Sequence, residues 1–280
     1  MVALSSPGPA LLARLHGELL IEGPAVQAIR EAMLAARLAA PPRPAVVEGV
    51  PEVDWAQAED LPDGVSPRWR DGEGLRRAAE ERAAGRRLTI LRGFLAPAFC
   101  EVLLREVQAL PMARLETPVV HAWRHPLEHG LQALRELLED PGTRRLLGAV
   151  LGVDLPAPMQ LNAWRHEPGD HLAVHPDGPR YAATAALGLN AGWTAADGGA
   201  LAFGQPAFGQ PAFGQPAFGQ PAFKQAQTDG GFEVHERWLP HRGDLALFVP
   251  GPQTWHVVEP SRRTRWTVSG WWLLPDAAGP

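Results

Sequence analysis

His171-Leu172-Ala173-Val174-His175-Pro176-Asp177-Gly178-Pro179-Arg180-Tyr181-Ala182-Ala183-Thr184-Ala185-Ala186-Leu187 is the stretch on which the reading of this chain turns. Two apolar runs flank a Pro-Asp-Gly-Pro turn, which reads as strand, turn, strand. Side chains alternate along a strand, so His175 and Asp177, two positions apart, are expected on one strand face where they can grip one metal ion. With ten histidines and twelve aspartates in the chain, chance alone yields such a tripeptide about 0.4 times, so the motif counts only with its surroundings. The same spacing at His16-Gly17-Glu18 falls in a helical stretch, where an offset of two points the side chains apart.

His256 follows His175 by 81 positions and opens His256-Val257-Val258 after the strand-and-turn signal Leu245 to Pro252. A second imidazole from that distant strand would complete a two-His, one-carboxylate set of the kind that holds non-haem Fe(II) on one face of an octahedron and leaves the other face open. Nine residues further on, Arg265 begins Arg265-Trp266-Thr267-Val268-Ser269-Gly270-Trp271-Trp272. Alternation puts Arg265, Thr267 and Ser269 on one face, with Trp266 and Val268 on the other. An arginine on an inward face is unfavourable unless it meets an anion. A cosubstrate carboxylate gripped by its fork, with Thr267 adding a hydroxyl, would satisfy it.

At 280 residues the chain can bury a sizeable core. A formal charge of -5 gives no overall electrostatic reason to expect nucleic acid. Cys100 is the single cysteine, so an intrachain disulfide is excluded and the residue is expected to pack on a helix. No uninterrupted apolar run approaches the ~18 residues of a membrane helix and no cationic leader is legible, so the expectation is a cytoplasmic protein without membrane contact. Nothing sets the oligomeric state.

Helical periodicity fills residues 9–39 in two pieces around Gly23-Pro24, followed by a Pro-rich acidic segment over 41–67 and a third helix from about Gly74 to Ala84. Residues 1–86 thus read as a helical N-terminal extension and linker, and 87–280 as the main domain. In that domain Leu88 to Leu91 has strand composition, Pro97 to Leu110 is an amphipathic helix, and Leu131 to Leu151 is helical with a break at Asp140-Pro141-Gly142. From Met159 to Leu274 short strands alternate with turns, which argues for a barrel or sandwich packed on the preceding helices. Ala202 to Phe223 stands apart as tandem Ala-Phe-Gly-Gln-Pro units. A period of five suits neither strand nor helix, and recurrent proline removes ladder donors, so a projecting loop over 202–223 is expected. Tolerated duplication and a partner-binding loop or lid with phenylalanine anchors are both open readings.

Asn162-Ala163-Trp164, Pro168-Gly169-Asp170, His175-Pro176-Asp177, Arg180, Leu189-Asn190-Ala191-Gly192-Trp193, Gly198-Gly199-Ala200-Leu201, Gly243 to Phe248 and His256 through Trp271 resemble, in order and character, the prolyl 4-hydroxylase-like 2-oxoglutarate and Fe(II)-dependent dioxygenases. Leu91-Arg92-Gly93-Phe94-Leu95 is similar to the lead-in of that domain, and residues 1–86 fall outside the resemblance. The resemblance implies an α+β, mainly β fold: a double-stranded β-helix (jelly-roll) core with helices packed on one side. It implies His175, Asp177 and His256 as iron ligands and Arg265 as the partner of the 2-oxoglutarate distal carboxylate, with O2 as the second cosubstrate and succinate as a product. The chain departs from the family where Trp164 stands for a frequent tyrosine and where a second tyrosine is missing near Leu187 and Gly188; its one tyrosine is Tyr181. Thr267, Trp164 or a water is left to complete the cosubstrate pocket, and Trp164 either walls that pocket or simply packs. His171 is expected on the His175 face, solvated or behind the ligands.

The function expected is hydroxylation of an unactivated C-H bond, with a prolyl or other residue of a peptide or protein ahead of a free amino acid or related metabolite as substrate. A binding protein that uses the repeat, with a silent metal site, is the alternative from another class.

Overall fold

The computed structural model describes residues 52–117, 119–127, 130–156, 158–178, 180–206, 232–251 and 253–274. Among these residues eleven antiparallel strands form one curled sheet: β1 (Thr89–Leu91), β2 (Ala113–Glu116), β3 (Val120–Leu127), β4 (Met159–His166), β5 (His171–His175), β6 (Tyr181–Gly188), β7 (Leu201–Pro206), β8 (Phe232–Trp238), β9 (Leu245–Phe248), β10 (Trp255–Val258) and β11 (Arg265–Leu273). Their spatial order is β1-β9-β6-β11-β4-β3-β5-β10-β7-β8, with β2 added beside β3. The sheet bends until its two ends face each other. Phe248 and Ala246 of β9 then pack against Leu201 and Phe203 of β7, Trp238 of β8 and Val258 of β10. This nearly closed barrel is the double-stranded β-helix expected from the sequence.

Four α-helices among the described residues cover one outer face: α1 (Glu73–Ala83), α2 (Pro97–Ala109), α3 (Gln132–Glu139) and α4 (Pro141–Leu151). The break between α3 and α4 has a local cause. Asp140 caps α4 by accepting from the Thr143 amide at 2.8 Å, Pro141 occupies its first turn, and Gly152 ends it with a φ of 67°. Outward residues of the strands, among them Leu161, Ala163, Val268, Ala185 and Leu247, join Leu103, Val107, Leu134, Leu147 and Leu151 of the helices in one core. Ala58, Leu61, Val65, Trp69 and Leu75 belong to that same core, so the described part of the N-terminal extension is packed onto the barrel. Cys100 is fully buried on α2, which pushes its thiol pKa up to about 11.

Three expectations are corrected. The first repeat unit, Ala202 to Pro206, is core strand: β7 pairs with β10 on one side and β8 on the other, and Ala202 and Phe203 are buried. Its glycine has a structural reason, since a Cβ on Gly204 would lie 1.9 Å from the Glu233 carbonyl oxygen at a register shift between β7 and β8. The remaining units and the helical hairpin over 9–39 lie outside the described residues. Second, β5 ends at His175, so Asp177 stands beyond the strand. Third, the β5–β10 pairing shifts register between His256 and Val258, and Leu172 takes the inward place. His171 instead pairs with His121 of β3, their rings stacked with centroids 4.8 Å apart. Strands β2 and β3 are additions to the sequence reading.

Candidate metal and cosubstrate site

The β5–β10 register sets His175 directly opposite His256. Cross-strand partners share a face, so the two imidazoles meet, with ring centroids 4.3 Å apart. Each Nδ1 faces a backbone carbonyl, that of Ala173 at 2.7 Å for His175 and that of Thr254 at 3.0 Å for His256. A carbonyl only accepts, so each Nδ1 carries the proton and the lone pair sits on Nε2, the form in which imidazole ligates metals.

Asp177 joins them from the turn. Its Oδ2 accepts from Thr184 Oγ1 at 2.7 Å and from Trp271 Nε1 at 3.3 Å, which fixes the carboxylate without help from strand pairing. Burial opposes its ionisation, but His256, His175 and the two donors outweigh that and hold its pKa below the ordinary value. One ligand atom from each of His175, Asp177 and His256 lies within 4.8 Å of the others. Two imidazoles in the ligand form and one ionised carboxylate fit a divalent transition metal. Apolar rings back the site: Phe203 stacks on His256 at 5.3 Å and Phe248 meets it edge-on at 5.1 Å.

The pocket that contains these ligands runs inward between Leu172, Leu201, Val258 and Ala186 to Arg265, Thr267 and His166. Trp164, Ser269 and Trp271 line it as well, so the alternate residues of β11 from Arg265 to Trp271 share the inward face. Arg265 is only 3% exposed, and among the described residues no carboxylate pairs with it. Its Nη1 donates to Thr267 Oγ1 at 3.1 Å, while its Nε is buried without a partner. Burial lowers its pKa to about 9, which still leaves a cation at neutral pH. An anion is what such a group lacks.

His166 of β4 is a site residue that the sequence did not reveal. It lies opposite Arg265 in the β4–β11 register, 3% exposed, with its Nδ1 3.3 Å from Arg265 Nη1. A guanidinium only donates, so Nδ1 accepts and the ring proton must sit on Nε2, making His166 a second N–H donor on the pocket wall. Burial first, then Arg265, push its pKa well below the ordinary value, so the ring is neutral. Trp164 lines the pocket and donates from Nε1 to Ser269 Oγ at 2.6 Å. Arg180 is turned onto Tyr181, with Nη2 donating to the phenol oxygen at 2.7 Å.

Residues 159–273, which contain every one of these groups, match the family model of the 2OG-Fe(II) oxygenase superfamily. These residues form a domain of that superfamily. Its activity is accordingly that of an oxygenase using Fe(II), 2-oxoglutarate and O2. Among solved structures the oxygenase is similar to a prolyl-4-hydroxylase from Pseudomonas putida, with 20% identity over 71% of this chain and 98% of that one and a TM-score of 0.50. A prolyl hydroxylase from Trichoplax adhaerens, in complex with a hypoxia inducible factor oxygen degradation domain peptide fragment, is 16% identical over 76% of this chain and 96% of that one, with a TM-score of 0.54. The α-ketoglutarate-dependent epimerase SnoN from nogalamycin biosynthesis is 17% identical over 71% and 82%, with a TM-score of 0.50. At these identities the likeness establishes the shared fold. No curated protein matches the oxygenase's sequence. Among its described residues no helix is long and apolar enough to cross a membrane.

Proposed function

We propose that His175, Asp177 and His256 hold the Fe(II) of this oxygenase, that Arg265 binds the distal carboxylate of 2-oxoglutarate, and that the reaction hydroxylates a C-H bond of a prolyl or other residue in a peptide or protein. The observation that carries the cosubstrate assignment is Arg265, a buried cation that meets no counter-ion among the described residues, at the inner end of the pocket that contains the three ligands. A carboxylate there removes the cost of burying an unpaired charge.

Fe(II) with 2-oxoglutarate and O2 supplies the oxidant that breaks the substrate C-H bond, with succinate and CO2 as co-products. The chain supplies position and a dry environment. The carbonyls of Ala173 and Thr254 keep both imidazoles in the ligand tautomer, and Thr184 and Trp271 orient Asp177. At the inner end Arg265 presents its fork, with Thr267 and neutral His166 holding the guanidinium in place. The Nε2 proton of His166 offers a donor where tyrosine is absent. Leu172, Leu201 and Val258 exclude water from the span between.

A peptide or protein substrate is supported by the prolyl hydroxylase that shares this fold and is bound to a peptide. The test is succinate formation by anaerobically prepared protein given Fe(II), 2-oxoglutarate and then air, beside His175→Ala and Arg265→Ala. Turnover and the visible Fe(II)–keto acid absorption band are expected in the wild type and lost in both variants; absence of both from the wild type would refute the assignment.

A further inference from the structure

Among the described residues five arginines stand on strands, and three of them meet a carboxylate: Arg114 with Asp170 at 2.6 Å, Arg165 with Glu167 at 3.0 Å, and Arg237 with Glu259 at 2.8 Å. Arg265 and Arg124 meet none. The cosubstrate accounts for Arg265. Arg124 of β3 lies directly opposite Trp164 of β4, which lies opposite Thr267 of β11, so the three share the inward face. The Arg124 guanidinium lies over the Trp164 ring, 5.9 Å from its centroid. That indole is itself fixed by its bond to Ser269, and both line the pocket with the metal ligands.

A guanidinium attracted to an aromatic face at this distance keeps its N–H donors for an acceptor. Arg124 has no hydrogen-bond acceptor among the described residues, although it is half-buried. Neither cofactor needs it. The charges brought by Fe(II) and the 2-oxoglutarate dianion are balanced by Asp177 and Arg265 together, so Arg124 is the cation left over beside a neutral centre. Arg180, whose neighbour Tyr181 packs against Trp271, already has the Tyr181 hydroxyl as its partner.

We propose that the substrate carries a carboxylate that docks on the N–H edge of Arg124 and that this contact selects the substrate. The inference rests on the reading of the pocket given above and adds the chemical class to it. A guanidinium fork anchored beside an aromatic ring is suited to bidentate recognition of a carboxylate. The same chemistry is presented by the α-carboxylate of a free amino acid and by an aspartyl or glutamyl side chain of a peptide.

The test uses full-length protein with Fe(II) and 2-oxoglutarate, and measures substrate-stimulated succinate formation with matched pools. Free L-amino acids are set against their amides, and end-blocked peptides containing Asp or Glu against those containing Asn or Gln. Stimulation by one acidic pool and not by its amide counterpart is expected, and which pool responds identifies the source of the carboxylate. For the responding compound, Arg124→Gln is expected to raise KM about 10- to 100-fold with kcat changed less than about threefold, and Arg124→Lys to recover part of the loss. The anaerobic absorption band is recorded in every sample. With that band present, equal stimulation by acids and amides, stimulation by neither, or an acid preference that survives Arg124→Gln would overturn the proposal. Absence of the band in the wild type would instead be a failure of the cofactor assignment.

Discussion

Phe203 lies nearly parallel to the His256 imidazole, with centroids 5.3 Å apart and planes 22° from parallel, and its other neighbour Phe248 meets both rings edge-on. The ring therefore fills the space behind a metal ligand as well as part of the barrel core. Phe203→Ala removes a buried aromatic and leaves a void, so a loss of about 3–5 kcal/mol is expected in urea unfolding. With His256 free to tilt, metal affinity should fall by about tenfold or more. Phe203→Leu, which keeps most of the volume, should recover the stability before the affinity. Equal metal affinity in all three proteins would show that the ring does not position His256.

Acid should weaken the fold through His166. Burial, and then Arg265, keep this imidazole neutral well below its ordinary pKa of 6.5. The unfolded chain takes up the proton that the folded chain refuses. Its contribution is thus whole above about pH 6.5 and is lost as the pH falls through that value toward the folded pKa, by up to about 1.4 kcal/mol per pH unit. Urea midpoints of the wild type and His166→Gln at about pH 7.5 and 5.5 compare the two slopes. The variant should lose less stability between them; identical slopes would mean that His166 does not resist protonation.

Metal addition should act as a ligand does. Mn(II) at about 100 times its Kd is expected to stabilise the folded protein by about 2.7 kcal/mol, or about 5–10 °C in Tm, and a chelator should reverse it. His175→Ala and His256→Ala should abolish the shift. A shift that persists in either variant would place the metal elsewhere.

Gly199 has a φ of +64°, and a Cβ built on it would come within 2.9 Å of Arg265 Cδ and 3.1 Å of Ser261 Oγ. Gly199→Ala therefore adds backbone strain and pushes the guanidinium off its seat. The expected result is a rise of about tenfold in KM for 2-oxoglutarate, with metal binding altered less; the reverse order of effects would exclude this role.

Much of the site is legible in the sequence because its groups are chemically conspicuous. A histidine before a Pro-Asp-Gly turn, a histidine opening an apolar strand and an arginine at an inward strand position each demand a partner. What escapes is set by register between distant strands. His166 and Arg265 are 99 residues apart, and only the pairing of β4 with β11 brings them together. His171 is misread for a related reason, since the irregularity opposite His256 and Val258 reverses the alternation that its spacing from His175 implies. Strand β2 hides because its alternation lasts only four residues, and β3 because its faces mix polar and apolar residues and it contains Pro126, which erases a period of two. In the repeat, the regularity of five masks a strand that tertiary pairing imposes on the first copy.

The placement of that first copy in β7 has a genetic corollary. Because every unit has the same sequence, excision of any five consecutive residues between Ala202 and Phe223 restores Leu201-Ala202-Phe203-Gly204-Gln205-Pro206 at the junction. The strand beside His256 is thus held in reserve several times over. Replication slippage in whole units can lengthen or shorten the gene here while Phe203 and its hydrogen-bonded neighbours are rewritten unchanged, so allele length can drift at the very edge of the catalytic barrel.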